Sequence, residues 1–169
     1  MGITLGGIAL HSTLSDYLAI LQHLLLIKSG RAHPNAILTP ETVSLMFTPS
    51  LPPNSTDAIY RFTSLAEVYP RVVELNFGLG VCLAKEDWDG RKKAGTGFCK
   101  FPAFSESIVV ANVLIYLYIG YGWAGTYYFA DPHTGIAAVY GTQLVPTFDS
   151  EVVKLWDRLE RAIYAGLEK

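Results

Sequence analysis

The stretch Gly120-Tyr121-Gly122-Trp123-Ala124-Gly125-Thr126-Tyr127-Tyr128-Phe129-Ala130-Asp131-Pro132 constrains this chain most. Glycines lead into an aromatic run, a turn signal follows, and a second apolar run spans residues 136–143. Aromatic and β-branched residues dominate both runs, which predicts two strands. Between them, Asp131-Pro132-His133-Thr134-Gly135 carries strong turn chemistry. Asp131 can bond its own downstream backbone, Pro132 presets φ, and Gly135 accepts a positive φ. The simplest product is a core β-hairpin.

The rest of the chain supplies partners for that hairpin. Ser12 and Thr13 are N-cap candidates for a helix running to about Lys28, with Asp16 in its first turn and Gly30 just beyond its end. Thr39 caps a second helix, with Pro40 at its first position. Residues 50–69 read as loop, and residues 63–73 as a short helix interrupted at Pro70. Residues 76–84 read as a strand whose glycines mark a bulge or a close backbone approach. Asp89-Gly90 is a hairpin turn returning through Arg91-Lys92-Lys93. A last helix is capped by Asp149 or Ser150. Its apolar stripe is Val152, Val153, Trp156, Leu159, Ile163 and Leu167, with Arg158, Glu160 and Arg161 facing away. The expected fold is α+β: an antiparallel sheet of three to five strands flanked by helices, in one domain covering residues 1–169.

Composition narrows the function. The chain has 169 residues, is 50% hydrophobic and 17% charged, and carries a net charge of −2. That balance argues against a nucleic-acid partner held by bulk electrostatics. The longest apolar run, residues 108–121, is short for a membrane span, which needs roughly 20 residues. No basic leader precedes a cleavage pattern at the amino terminus. Cys82 and Cys99 have neither metal-ligand nor redox spacing, so free buried thiols and a cytoplasmic location are expected. His11, His23, His33 and His133 show no helical pairing with carboxylates for a metal site.

The region from Trp123 onward resembles the third conserved box of the penicillin-recognising serine hydrolases, which include β-lactamases, family VIII-type esterases and fungal acyltransferases of the lovastatin type. There the box is Lys-Thr-Gly, Trp-Gly-Gly or His-x-Gly; here it is Trp123-Ala124-Gly125. The Gly141-Thr142-Gln143 end and the following helix add to the resemblance. So do the two opening helices, with Ile37-Leu38-Thr39-Pro40-Glu41-Thr42-Val43. The resemblance implies the C-terminal part of a β-lactamase/transpeptidase-like domain. It implies that the Thr126 amide donates to a developing oxyanion, that Gly125 allows close approach, and that Trp123 shapes the pocket beside Tyr127. The alternative for Trp123 and Tyr127 is ordinary core aromatics in a strand.

The chain departs from the family in two ways. No serine has a lysine three residues on, and no Tyr-x-Asn, Ser-x-Asn or Gly-x-Ser-x-Gly pattern is present. Catalytic residues are therefore not assigned within this chain. Secondly, an atypical insertion occupies about residues 98–119; deleting it joins Gly95-Thr96-Gly97 to Tyr121-Gly122-Trp123. It is either a translated intron or a true inserted segment. The family implies a small-molecule ester or acyl substrate and no metal or organic cofactor. Two further expectations follow: inactivity of this chain alone, and self-association through a sheet face left uncovered. A non-catalytic module that pairs with a partner chain is the alternative.

Overall fold

The computed structural model describes residues 12–31, 34–63, 74–99, 125–144 and 149–167. Helix α1 (Leu14–Lys28) starts where the sequence places it. Thr13 Oγ1 accepts from the Asp16 N–H at 3.1 Å, and the Asp16 carboxylate reaches back to the Thr13 N–H. Helix α2 (Pro40–Met46) is capped by Thr39 and begins on its proline. Helix α3 (Thr56–Thr63) lies inside the stretch expected to be loop; Asp57 in its first turn is a start signal outweighed by the prolines just before it. Residues 64–73 lie outside the described residues.

Five strands follow: β1 (Leu75–Phe77), β2 (Cys82–Ala84), β3 (Gly97–Cys99), β4 (Thr126–Asp131) and β5 (Ile136–Gly141). They form one antiparallel sheet in chain order. The run expected as a single strand over 76–84 is thus two short strands joined by a tight turn. Gly78 donates to the Val81 carbonyl at 3.0 Å inside that turn. A Cβ on Gly78 would lie 1.9 Å from the Met46 carbonyl oxygen, so glycine lets the turn abut the end of α2. The β4–β5 turn follows expectation. Asp131 Oδ1 accepts from the His133 and Thr134 N–H groups at 2.8 and 3.3 Å, and Gly135 has φ 75°.

Side-chain alternation sends residues to two faces. On one face Cys82, Ala84, Phe98, Tyr127 and Phe129 pack with Val152, Trp156 and Tyr164 of α4 (Ser150–Leu167) and with Ile59 and Tyr60 of α3. On the other, Val81, Leu83 and Ala130 pack with Leu21, Leu24 and Leu25 of α1 and with Val43 and Phe47 at α2. Both faces of the described sheet therefore carry helices from this chain.

Helix α4 is rotated from its expected setting. Val152, Trp156, Glu160 and Tyr164 face the sheet, while Leu155, Leu159, Ile163 and Leu167 are exposed. Glu160, expected to face solvent, is fully buried because Arg91 and Lys92 point inward to meet it. The basic triplet also does not form the return strand; β3 begins at Gly97. Phe98, placed in the insertion by sequence, is a core residue of β3 opposite Phe129. The remainder of that segment, from residue 100, lies outside the described residues.

Candidate functional site

Gly125 and Thr126 stand where β4 begins. Gly125 is buried with φ +79°, and a Cβ there would lie 2.6 Å from Thr142 Cγ2. Both the backbone angle and the close approach to Thr142 exclude a larger residue without rearrangement. The Thr142 N–H donates to the Gly125 carbonyl at 3.0 Å, so these two residues form a hydrogen-bonded pair. Thr126 and Gly141, next in register, form the alternate, non-hydrogen-bonded pair. The Thr126 N–H therefore points away from β5, toward the β3 side. The last described pair on that side is Cys99 with Tyr128. The Thr126 amide is not a rung of the β4–β5 ladder, and its residue is half-buried.

Tyr127, next along, points to the opposite face. It is 1% exposed, stacks on Trp156 at 5.8 Å between ring centroids, and lies beside Tyr140 at 5.9 Å. Burial raises the pKa of its phenol, with Tyr140 and Asp149 adding to the shift. Its hydroxyl has no hydrogen-bond partner among the described residues. Tyr127 thus holds β4 in the core, while Thr126 carries the amide on the other side. Trp123 lies outside the described residues.

The sequence places no nucleophile motif beside this strand, and among the described residues the structure adds one serine–lysine hydrogen bond. Lys28 Nζ donates to Ser44 Oγ at 3.1 Å, joining the end of α1 to α2. In that contact the serine oxygen is the acceptor. An activated nucleophile instead gives its proton to a neutral amine. The pair is a tether between helices.

The buried charges form a second cluster that sequence reasoning missed. Arg91 reaches Glu160 Oε2 and Asp157 Oδ1, each at 2.7 Å, and Lys92 reaches Glu160 Oε1 at 2.6 Å. The Lys92 ammonium also lies 4.7 Å from the Trp88 ring centroid and 5.1 Å from that of Phe98. Burial lowers the Lys92 pKa to about 8, against the pull of Glu160. Burial raises the Glu160 carboxyl, but Lys92 and Arg91 together outweigh it and hold the group below its ordinary value. Arg91, Lys92 and Arg161, which reaches Asp157 Oδ2 at 3.2 Å, face Asp157 and Glu160, so the cations outnumber the anions by one. It fastens the 85–96 loop to α4. The sequence signal was the central position of Glu160 between Trp156 and Tyr164 at helical spacing.

Among the described residues no group of three or more His, Cys, Asp or Glu side chains could hold a metal ion, and no helix is long and apolar enough to cross a membrane.

No family model matches the sequence, and no curated protein matches it. Solved structures do. The LovD6 variant of simvastatin synthase (LovD) from Aspergillus terreus is 25% identical with a TM-score of 0.65; the match covers 90% of this chain and 33% of that one. The LovD9 variant matches at 25% identity and a TM-score of 0.66, over 90% and 34% of the two chains. The unliganded enzyme matches at 25% and 0.64, over 89% and 34%. The chain spans about a third of the length of these structures. In fold it is α+β, an antiparallel sheet flanked by helices that is similar to part of these β-lactamase-like structures, as the resemblance in its sequence implies.

Proposed function

We propose that this chain is the C-terminal part of a serine ester hydrolase or acyltransferase and contributes the oxyanion-side strand. The observation that carries the reading is the Thr126 amide. It follows a positive-φ glycine, points away from the β4–β5 ladder, and sits in a strand whose other face is locked by Tyr127. A backbone donor fixed in this way stabilises charge developing on a carbonyl oxygen. The nucleophile and its lysine would come from polypeptide outside this sequence, since Ser-x-x-Lys does not occur in it. The substrate class is a small-molecule ester or activated acyl group, in the setting of cytoplasmic secondary metabolism, with Trp123 bordering the acyl pocket and Tyr127 anchoring the strand from within the core. An oxyanion donor without a nucleophile does not turn over an ester, so the chain alone is inactive.

The test is complementation. The purified chain is assayed on a p-nitrophenyl ester alone and with an amino-terminal fragment of simvastatin synthase bearing Ser-x-x-Lys. The expected result is no burst alone, turnover with the fragment, and loss of that turnover in Thr126→Pro, which lacks the donor N–H. A serine-dependent burst from the chain alone contradicts the proposal. Binding of the fragment without turnover favours the second reading, a non-catalytic module that pairs with a partner chain.

A further inference from the structure

The Thr126 N–H belongs to the peptide unit that joins Gly125 to Thr126. In a trans peptide the Gly125 carbonyl and the Thr126 N–H point in opposite directions. Whatever holds that carbonyl toward β5 therefore holds the N–H away from it. Burial of Tyr127 and Phe129 fixes the register of β4 but not the orientation of this unit. β4 begins at Thr126, so the unit hangs on the residue before the strand, a glycine at φ +79°. Glycine has no Cβ to restrict its dihedrals. Opposed rotations about Gly125 ψ and Thr126 φ would turn the unit over and leave both clamped rings in place.

Thr142 opposes that rotation in two ways. Its N–H donates to the Gly125 carbonyl at 3.0 Å, and turning the unit over would strip that N–H of its acceptor. Its Cγ2 methyl stands 2.6 Å from where a Cβ on Gly125 would lie, so it fills the space of the missing side chain. Thr142 sits one residue beyond the end of β5 and is itself anchored. Its Oγ1 accepts from the Leu144 N–H at 3.1 Å, which turns the hydroxyl toward Leu144 and leaves the methyl against Gly125.

We infer, resting on the acyl-transfer reading of Thr126, that Thr142 is a positioning residue for the oxyanion donor. It orients the Gly125–Thr126 peptide unit and so aims the Thr126 N–H, without touching substrate itself. The hydrogen bond received by the Gly125 carbonyl also polarises the unit and strengthens its N–H as a donor. Within the side chain, the methyl braces Gly125 and the hydroxyl serves only to orient the methyl. A valine can therefore take the place of Thr142, and a serine cannot.

Two measurements test this. On the isotope-labelled chain alone, NMR reads the scalar coupling across the hydrogen bond from Thr142 to Gly125 and the dipolar coupling of the Thr126 N–H. Wild type should give the values of a fixed strand, and Thr142→Ser should weaken the first and average the second. In complementation with the Ser-x-x-Lys fragment, Thr142→Ser should lower kcat by about tenfold with KM within about twofold. That is part of the roughly 10²–10³ lost when a whole oxyanion donor is removed. Thr142→Val, which restores a methyl without the hydroxyl, should rescue both readouts. A serine variant with wild-type couplings and kcat overturns the inference, as does a valine variant as impaired as serine. A loss confined to KM also overturns it, since it would place Thr142 against substrate. If the serine variant does not fold, wild type still decides, because a Thr126 coupling already averaged there refutes a fixed unit. Wild-type chain that binds the fragment without turnover defeats the acyl-transfer reading and the use of the donor. The couplings then show separately whether Thr142 holds the peptide.

Discussion

Replacing Glu160 by Gln should destabilise the fold far more than replacing Lys92 by Met, although the two groups are partners 2.6 Å apart. Glutamine keeps the shape but removes the negative charge, leaving Arg91 and Lys92 facing it. The lysine limits its own cost. Its folded pKa is about 8, so at pH 7 only about one unit of protonation energy, roughly 1 kcal/mol, is lost before the amine discards its proton. Arg91 has no such escape, since its guanidinium stays charged. It keeps Asp157 but loses a charged hydrogen bond, worth about 1.5–3 kcal/mol. The sum is about 2.5–4 kcal/mol, which overlaps the usual range for breaking a buried ion pair. Lys92→Met leaves Glu160 bonded to Arg91 and places an apolar chain among Trp88, Phe98 and Phe129. It should cost under about 1 kcal/mol or stabilise. Urea unfolding followed by fluorescence of Trp88 and Trp156 measures both. Equal losses from the two variants, or a loss below about 1 kcal/mol from Glu160→Gln, would refute the view that the anion is the indispensable member of the cluster.

Other outcomes follow from single contacts. Gly78→Ala drives a Cβ against the Met46 carbonyl and should cost about 2 kcal/mol or more by thermal unfolding. Asp131→Ala removes the acceptor of two turn N–H groups and of the Tyr164 hydroxyl at 2.8 Å, so it should lower stability by about 2–4 kcal/mol, against about 1 for Tyr164→Phe. On the acid side, the folded carboxyl of Glu160 titrates below its unfolded value, so its stabilisation is complete above about pH 4.5 and is lost as pH falls. Glu160→Gln should flatten that limb of a stability–pH curve. On the alkaline side Lys92 acts oppositely to an ordinary paired lysine. Between about pH 8 and 10.5 the unfolded chain holds the extra proton, so stability rises with pH, a rise absent in Lys92→Met. Burial pushes the Cys82 thiol up to about 12, so in a Cys99→Ser background a thiol reagent should react only on unfolding.

Local chemistry was legible in the sequence where short-range rules decide the outcome. The Thr13 and Thr39 caps, the Asp131–Gly135 turn and the β4–β5 pair depend on neighbours within a few positions. The misreadings involve partners far along the chain. Residues 76–84 look like one strand until the end of α2 is brought against Gly78. The apolar stripe of α4 looks continuous through Leu159 and Ile163. It turns by one position because Glu160 satisfies Arg91 and Lys92, about seventy residues earlier. A basic triplet after Asp-Gly carries no mark that two of its members will be buried. For the site, the Gly125–Thr126 step is an expectation carried by family resemblance, and the direction of the Thr126 amide needed the register.

That register ties the core to the site. Which side of β4 an amide faces is set by the pairing with β5, and the pairing is held by which side chains are buried. Tyr127 and Phe129 are clamped by Trp156 and Tyr164 at ring separations of 5.6–5.9 Å, so β4 cannot slip by one residue without exposing both rings. A one-residue slip would also turn the Thr126 N–H into the β5 ladder and remove it as a donor. The aromatic core under α4 is thus what keeps the amide free of that ladder. Because α1, α2 and α4 all belong to this chain and cover both sheet faces, that control does not require the polypeptide that would carry a nucleophile. A chain spanning a third of its structural neighbours therefore fixes the direction of the Thr126 amide with its own core.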